Sequence, residues 1–190
     1  LEREGFALEQ KPFAVGVRIE HPQEMINRAQ YGAAAENLPA ADYRLTYTTK
    51  AGRGVYTFCM CPGGMVVAAA SEEGRLAVNG MSLHARDGEN ANSALLVQVF
   101  PEDFGSPAPL AGMYFQRDLE EKAFRAGGGG YAAPVQKVGA FLGTAGSGEG
   151  VRPTCRPRVT ESRLDDVFPA FITDALREAL PAMGRKLKGF

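Results

Sequence analysis

The sequence predicts an α+β domain: an antiparallel or mixed sheet, or a partly closed β-barrel, of short strands followed by a helical C-terminal part. Three observations carry this. Alternating apolar runs bounded by Gly, Asn, Asp or Pro crowd residues 12–100. No crossover helix separates the runs between 43 and 100, which argues against a doubly wound parallel sheet. The patterns with helical spacing fall mainly after residue 110. The chain thus divides into a mainly β part with one early helix, 1–110, and a mainly helical part packing on it, 111–190.

Residues 12–20 alternate as a strand, with Phe13, Val15, Val17 and Ile19 on one face. Pro22 suits the first turn of a helix that His21 would cap. Met25, Ile26 and Ala29 form its apolar stripe, Glu24 and Arg28 an i,i+4 pair, and Gly32 its stop. Residues 33–41 are Ala-rich and read equally as helix tail or loop.

Strands follow at 43–48, 55–61, 65–70, 76–81 and 94–100, and residues 61–65 read as a hairpin connection. A Pro-rich link, 101–112, leads to a helix over 113–125 with Phe115, Leu119 and Ala123 spaced by four, and Gly127 past its end. Residues 135–142 suit a short helix. Gly127–Gly130 and Gly143–Gly150 resemble phosphate loops only in glycine content, lacking the Gly-Lys-Ser/Thr ending, and read as loops. Ser162-x-x-Asp165 fits a capping box. Pro169 then opens a helix whose Phe171, Ile172, Ala175, Leu176, Ala179 and Leu180 form a wide apolar face. Pro181 is expected to kink or break it, with Arg185, Lys186 and Lys188 at its end.

The charge of −1, from 21 basic and 22 acidic residues, supplies no field for nucleic acid or an anionic membrane, so neither is expected as a partner. No apolar run approaches the roughly 20 residues of a membrane span. Leu1-Glu-Arg-Glu-Gly5 has neither an initiator Met nor a signal-like apolar segment, so the chain is expected to start inside a longer one. Three cysteines, an odd number, suit a reducing, cytoplasmic setting.

The densest chemistry lies in Gly54-Val-Tyr-Thr-Phe-Cys-Met-Cys-Pro-Gly-Gly64. Strand alternation puts Val55, Thr57, Cys59 and Cys61 on one face. Cα atoms two apart on a strand lie roughly 6.5–7 Å from one another, a poor fit to a disulfide. A structural zinc would need further ligands from Cys155, His21 or His84, and the spacing is not that of a zinc knuckle, so no metal is expected. The thiols are either small core residues or, for Cys61 at the strand mouth, substrate-facing. Pro62-Gly63-Gly64 is either a plain turn or a backbone surface open to a flat ligand. Residues 79–82 and 86–93 are rich in amides and hydroxyls, which build turns or bind polar ligands. Within them Arg86 and Asn92 stand out. His21 and His84 are weaker acid–base candidates.

Residues 12–23 (Pro-Phe-Ala-Val-Gly-Val-Arg-Ile-Glu-His-Pro-Gln), 56–64, 78–82 (Val-Asn-Gly-Met-Ser), 87–94, 115–124 and the end Leu-Lys-Gly-Phe resemble the uncharacterised FAD-dependent dehydrogenases, bacterial flavoproteins related to the BaiN-like group. The resemblance implies that the present region is inserted in a split FAD domain, whose Gly-rich fingerprint lies upstream. It would cover the flavin and shape the substrate side. FAD is then expected in the intact protein and none in the isolated chain, which would be inactive alone. The partners would be the FAD-binding domain of the same polypeptide and a small-molecule substrate. On that view Cys61, Pro62, Gly63, Gly64 and Asn92 are candidate cofactor contacts, and Cys61 and Arg86 candidate catalytic residues. The rival reading is an independent ligand- or protein-binding domain without catalytic activity.

Overall fold

The computed structural model describes residues 1–144 and 152–190; the loop expected at Gly143–Gly150 falls largely outside them. Strand β5 (Asn90–Val99) is the axis of the fold. It alternates from Ser93 onward: Ser93, Leu95, Val97 and Val99 are fully buried, whereas Ala94, Leu96 and Gln98 on the other face are half-buried; before that Asn90, Ala91 and Asn92 are all buried. Antiparallel partners flank it, β1 (Phe13–Pro22) on one edge and β3 (Gly54–Ala68) on the other. β2 (Thr46–Thr48) and β4 (Val78–Ser82) both pair with β3, which gives a curled five-stranded sheet ordered β1-β5-β3-β2.

The buried face of β5 meets Ile26 of α1 (Gln23–Tyr31) and Ile172, Leu176, Ala179 and Met183 of the C-terminal helix α4 (Ala170–Lys186). Val15, Val17 and Ile19 of β1 join them, as their shared face predicts. Each such aliphatic side chain contributes about 1.5–3 kcal/mol when fully buried. Helix α2 (Ala111–Ala126) adds Leu119 to this core, and its Phe115 packs on Phe13 and Phe171. A parallel pair, β6 (Ala133–Val135) with β7 (Val159–Glu161), and the one-turn helix α3 (Val138–Phe141) complete the chain. The architecture is α+β, with a half-barrel sheet and a C-terminal helix.

Several local expectations give way. Residues 61–65 do not turn: β3 continues through Cys61-Pro-Gly-Gly64 as one 15-residue strand. Its pairing with β5 shifts register between Phe58 and Cys61 and again between Cys61 and Gly64. These bulges admit a proline without an N–H and bend the strand. The first bulge also breaks the expected face: Cys59 has φ 46° and is exposed, while Cys61 is buried. The run at 76–81 pairs only from Val78, and that at 43–48 only from Thr46.

Helix α4 passes through Pro181 to Lys186 instead of breaking. His21 does not cap α1: it ends β1 buried between Tyr43 and Phe190, and Pro22 occupies the cap position. Ser162 makes no capping box, since its hydroxyl donates to Ala126 O at 2.6 Å. Residues 135–142 split into the end of β6 and α3. Residues 32–37 form a 3-10 turn.

Candidate functional site

Residues directly opposite in an antiparallel sheet share a face. The register therefore lays out two rows across β3, β5 and β1 on the face away from the helical core: Tyr56–Leu96–Gly16 and Phe58–Ala94–Arg18. Past the first bulge, Cys61 and Glu20 flank Asn92 on either side. Phe58 is 63 % exposed, so its end of this surface is open among the described residues.

The bend in β3 swings β4 over the same face. Gly80 pairs with Val66, yet a Cβ built on it would lie 2.1 Å from Arg18 Nη1 and 2.4 Å from Asn92 Oδ1. Only glycine lets these two side chains meet. Opposite, the segment around Thr154–Arg156 bridges β3 and β1. Arg156 N donates to Val66 O at 2.8 Å and Ala68 N to Arg156 O at 2.9 Å. The Thr154 amide and hydroxyl both donate to the Glu20 carboxylate.

Arg18 is the hub. Its Nη1 donates to Asn92 Oδ1 at 2.7 Å and Cys59 O at 3.0 Å and reaches Cys61 Sγ at 3.7 Å. Nη2 donates to Asn79 Oδ1 at 3.3 Å. All these acceptors are neutral, and among the described residues no carboxylate lies within 4.0 Å of the guanidinium. Asn92 is fully buried, and among the described residues its Nδ2 has no hydrogen-bond partner. Leaving a buried donor unpaired costs about 1–3 kcal/mol. Burial pushes the Cys61 thiol up in pKa despite Arg18 beside it, so at neutral pH it is a thiol.

Of the residues singled out in the sequence, Cys61 and Asn92 come together at this hub. Gly63 and Gly64 answer to the chain's own packing: a Cβ would meet the Arg86 carbonyl at 2.0 Å and the Met81 carbonyl at 2.0 Å, respectively. Gly63 also has φ 49°, and its amide donates to Gln23 Oε1 at 2.7 Å. Pro62 is buried between them and Cys61. Arg86 contributes that carbonyl from a left-handed backbone (φ 53°), and its side chain is exposed with no hydrogen bond among the described residues. His84 is exposed too. Burial lowers His21 to a pKa of about 4, and its imidazole lies among aromatic rings. Cys155 lies beside Thr154, its thiol pushed up to about 11 by burial and then by the Glu20 charge. Among the described residues no three His, Cys, Asp or Glu side chains are grouped to hold a metal ion. No helix there is long and apolar enough to cross a membrane.

Arg18 is the member that sequence reasoning missed. Alternation set it opposite the core face of β1, but its partners lie 41 to 74 positions away. A charge flanked by apolar strand residues was the available signal.

The chain is 54% identical over 196 residues to an uncharacterised protein of Clostridium beijerinckii, which it matches along its whole length. It spans 37% of that relative's length. Residues 12–190 match the family model described as FAD-dependent protein, C-terminal domain-like. With that match covering all but the first eleven residues, the chain belongs to the family of C-terminal-like domains of FAD-dependent proteins.

Proposed function

We propose that this chain is the substrate-side domain of an FAD-dependent oxidoreductase of the dehydrogenase, BaiN-like kind, inserted in sequence within the FAD-binding part of the polypeptide. The sheet face holding Phe58, Arg18 and Asn92 then packs over the flavin and the substrate beside it. One observation carries this reading: a guanidinium whose partners among the described residues are all neutral sits on a sheet face that Phe58 leaves open. A guanidinium kept clear of carboxylates is arranged for an electron-rich partner from outside the chain.

The residues fit that partner. A flavin ring is flat and apolar, with carbonyl oxygens along one end. Phe58, Tyr56 and Leu96 offer apolar cover, and Arg18 offers donors. The chain has no G-x-G-x-x-G run, so the dinucleotide would be held by the rest of the polypeptide. Bound FAD supplies hydride transfer. The chain's own residues bind and position: Arg18 places a fixed positive charge, Asn92 holds that guanidinium through its amide oxygen, and Phe58 excludes water. Cys61, kept protonated by burial, adds no competing negative charge. Three unpaired cysteines support a reducing, cytoplasmic setting.

The test compares the full-length protein with residues 1–190 alone. The full-length protein should purify yellow with stoichiometric FAD, and the isolated chain colourless. FAD held stoichiometrically by residues 1–190 alone would overturn the split-site reading. A full-length protein that takes up no FAD would leave an independent binding domain in its place.

A further inference from the structure

Resting on that flavin-side reading, we infer that Arg18, held in place by Asn92, binds the carboxylate of an apolar organic acid, the substrate class of the site. With no carboxylate of the described residues within 4.0 Å, the guanidinium suits an anion. Among the described residues Arg18 bonds only to a backbone carbonyl, two side-chain amide oxygens and a thiol. Glu20, the acidic residue opposite Asn92 in register, spends both carboxylate oxygens on Thr154.

The geometry favours a carboxylate. Nη1 is fully engaged, whereas among the described residues Nη2 makes a single bond of 3.3 Å and Nε makes none. Nε and Nη2 form the side-on fork of a guanidinium, whose parallel N–H bonds match the two oxygens of a carboxylate. Asn92 Oδ1, which accepts from Nη1 at 2.7 Å, leaves that edge to a ligand. The bonds to Cys59 O and Asn79 Oδ1 fix the guanidinium in advance, which lowers the entropic cost of binding.

One guanidinium with neutral neighbours balances one negative charge, so a monoanion suits the site better than a phosphate dianion. The row that holds Arg18 ends in exposed Phe58, and the next holds Tyr56 and Leu96. The body of the acid is therefore apolar.

The experiment uses the FAD-loaded full-length protein with benzoate as the probe, reading both the thermal midpoint and the flavin absorbance spectrum. Wild-type protein should be stabilised by benzoate and its flavin spectrum perturbed. Arg18→Met should weaken benzoate binding about 10- to 100-fold with FAD content unchanged. Asn92→Asp, which places a carboxylate on Arg18 from within, should also abolish binding and guards against a fold defect peculiar to Arg18→Met. Equal benzoate binding by wild type and both variants overturns the inference, as does inorganic phosphate binding more tightly than benzoate. Stabilisation that Arg18→Met removes, without any change in the flavin spectrum, upholds the carboxylate site and overturns its placement beside the flavin.

Discussion

Arg18 Nη1 on β1 meets Asn92 Oδ1 on β5 at 2.7 Å directly beneath Gly80, where a Cβ would touch both atoms. Three strands thus converge on one hydrogen bond, and the glycine is what admits it. Gly80→Ala should displace the Arg18 head, which is flexible, at a cost of about 1 kcal/mol. Denaturant unfolding should register that small loss, and benzoate binding by the full-length protein should fall, though less than in Arg18→Met, which removes the charge altogether.

Gly63→Ala should behave in the opposite way. Its Cβ would run into the Arg86 carbonyl, which is backbone and cannot yield, and the residue sits at φ 49°. A loss of about 3 kcal/mol or more is expected from the strain and the clash together. A thermal midpoint equal to wild type would contradict the packing described for β3.

The difference between these two glycines marks what the sequence makes legible. Periodicity found the faces that meet the core, because Val15, Val17 and Ile19 on β1 and Ile172, Leu176 and Ala179 on α4 obey local rules. It misread Pro62-Gly63-Gly64 as a turn because turn residues and bulge residues are the same residues. Only the register with β5, and the carbonyls of Met81 and Arg86, decide between them. Asn92 stood out by its chemistry. Arg18 did not, because its role exists only after β3, β4 and β5 have assembled around it.

His21 carries a pH dependence. Its imidazole stacks on Phe190 at 4.9 Å between centroids and faces the Tyr43 ring, and burial lowers its pKa from 6.5 to about 4. The folded state therefore favours the neutral ring. Its contribution is complete above pH 6.5 and is lost as pH falls through about 4, on the order of 3 kcal/mol in all. His21→Phe should flatten the fall in unfolding free energy between those values relative to wild type. Parallel curves for the two proteins would refute this role.

The three thiols should react in a fixed order. Cys59 is exposed on its bulge, whereas burial raises the pKa of both Cys61 and Cys155. The thiolate is the reactive form, so iodoacetamide at neutral pH should modify Cys59 first. Peptide mapping that finds Cys61 or Cys155 labelled ahead of it would contradict the burial described.

If the sheet face of Phe58 and Arg18 covers the flavin in the full-length protein, FAD must shield it. Hydrogen–deuterium exchange of that protein, with and without FAD, tests it most directly. Loading FAD should slow exchange in the bulged segment from Phe58 to Cys61 and in β4 from Val78 to Ser82, and leave the outer surface of α2 unchanged. Unaltered exchange in both segments, with FAD fully bound, would show that the flavin lies elsewhere.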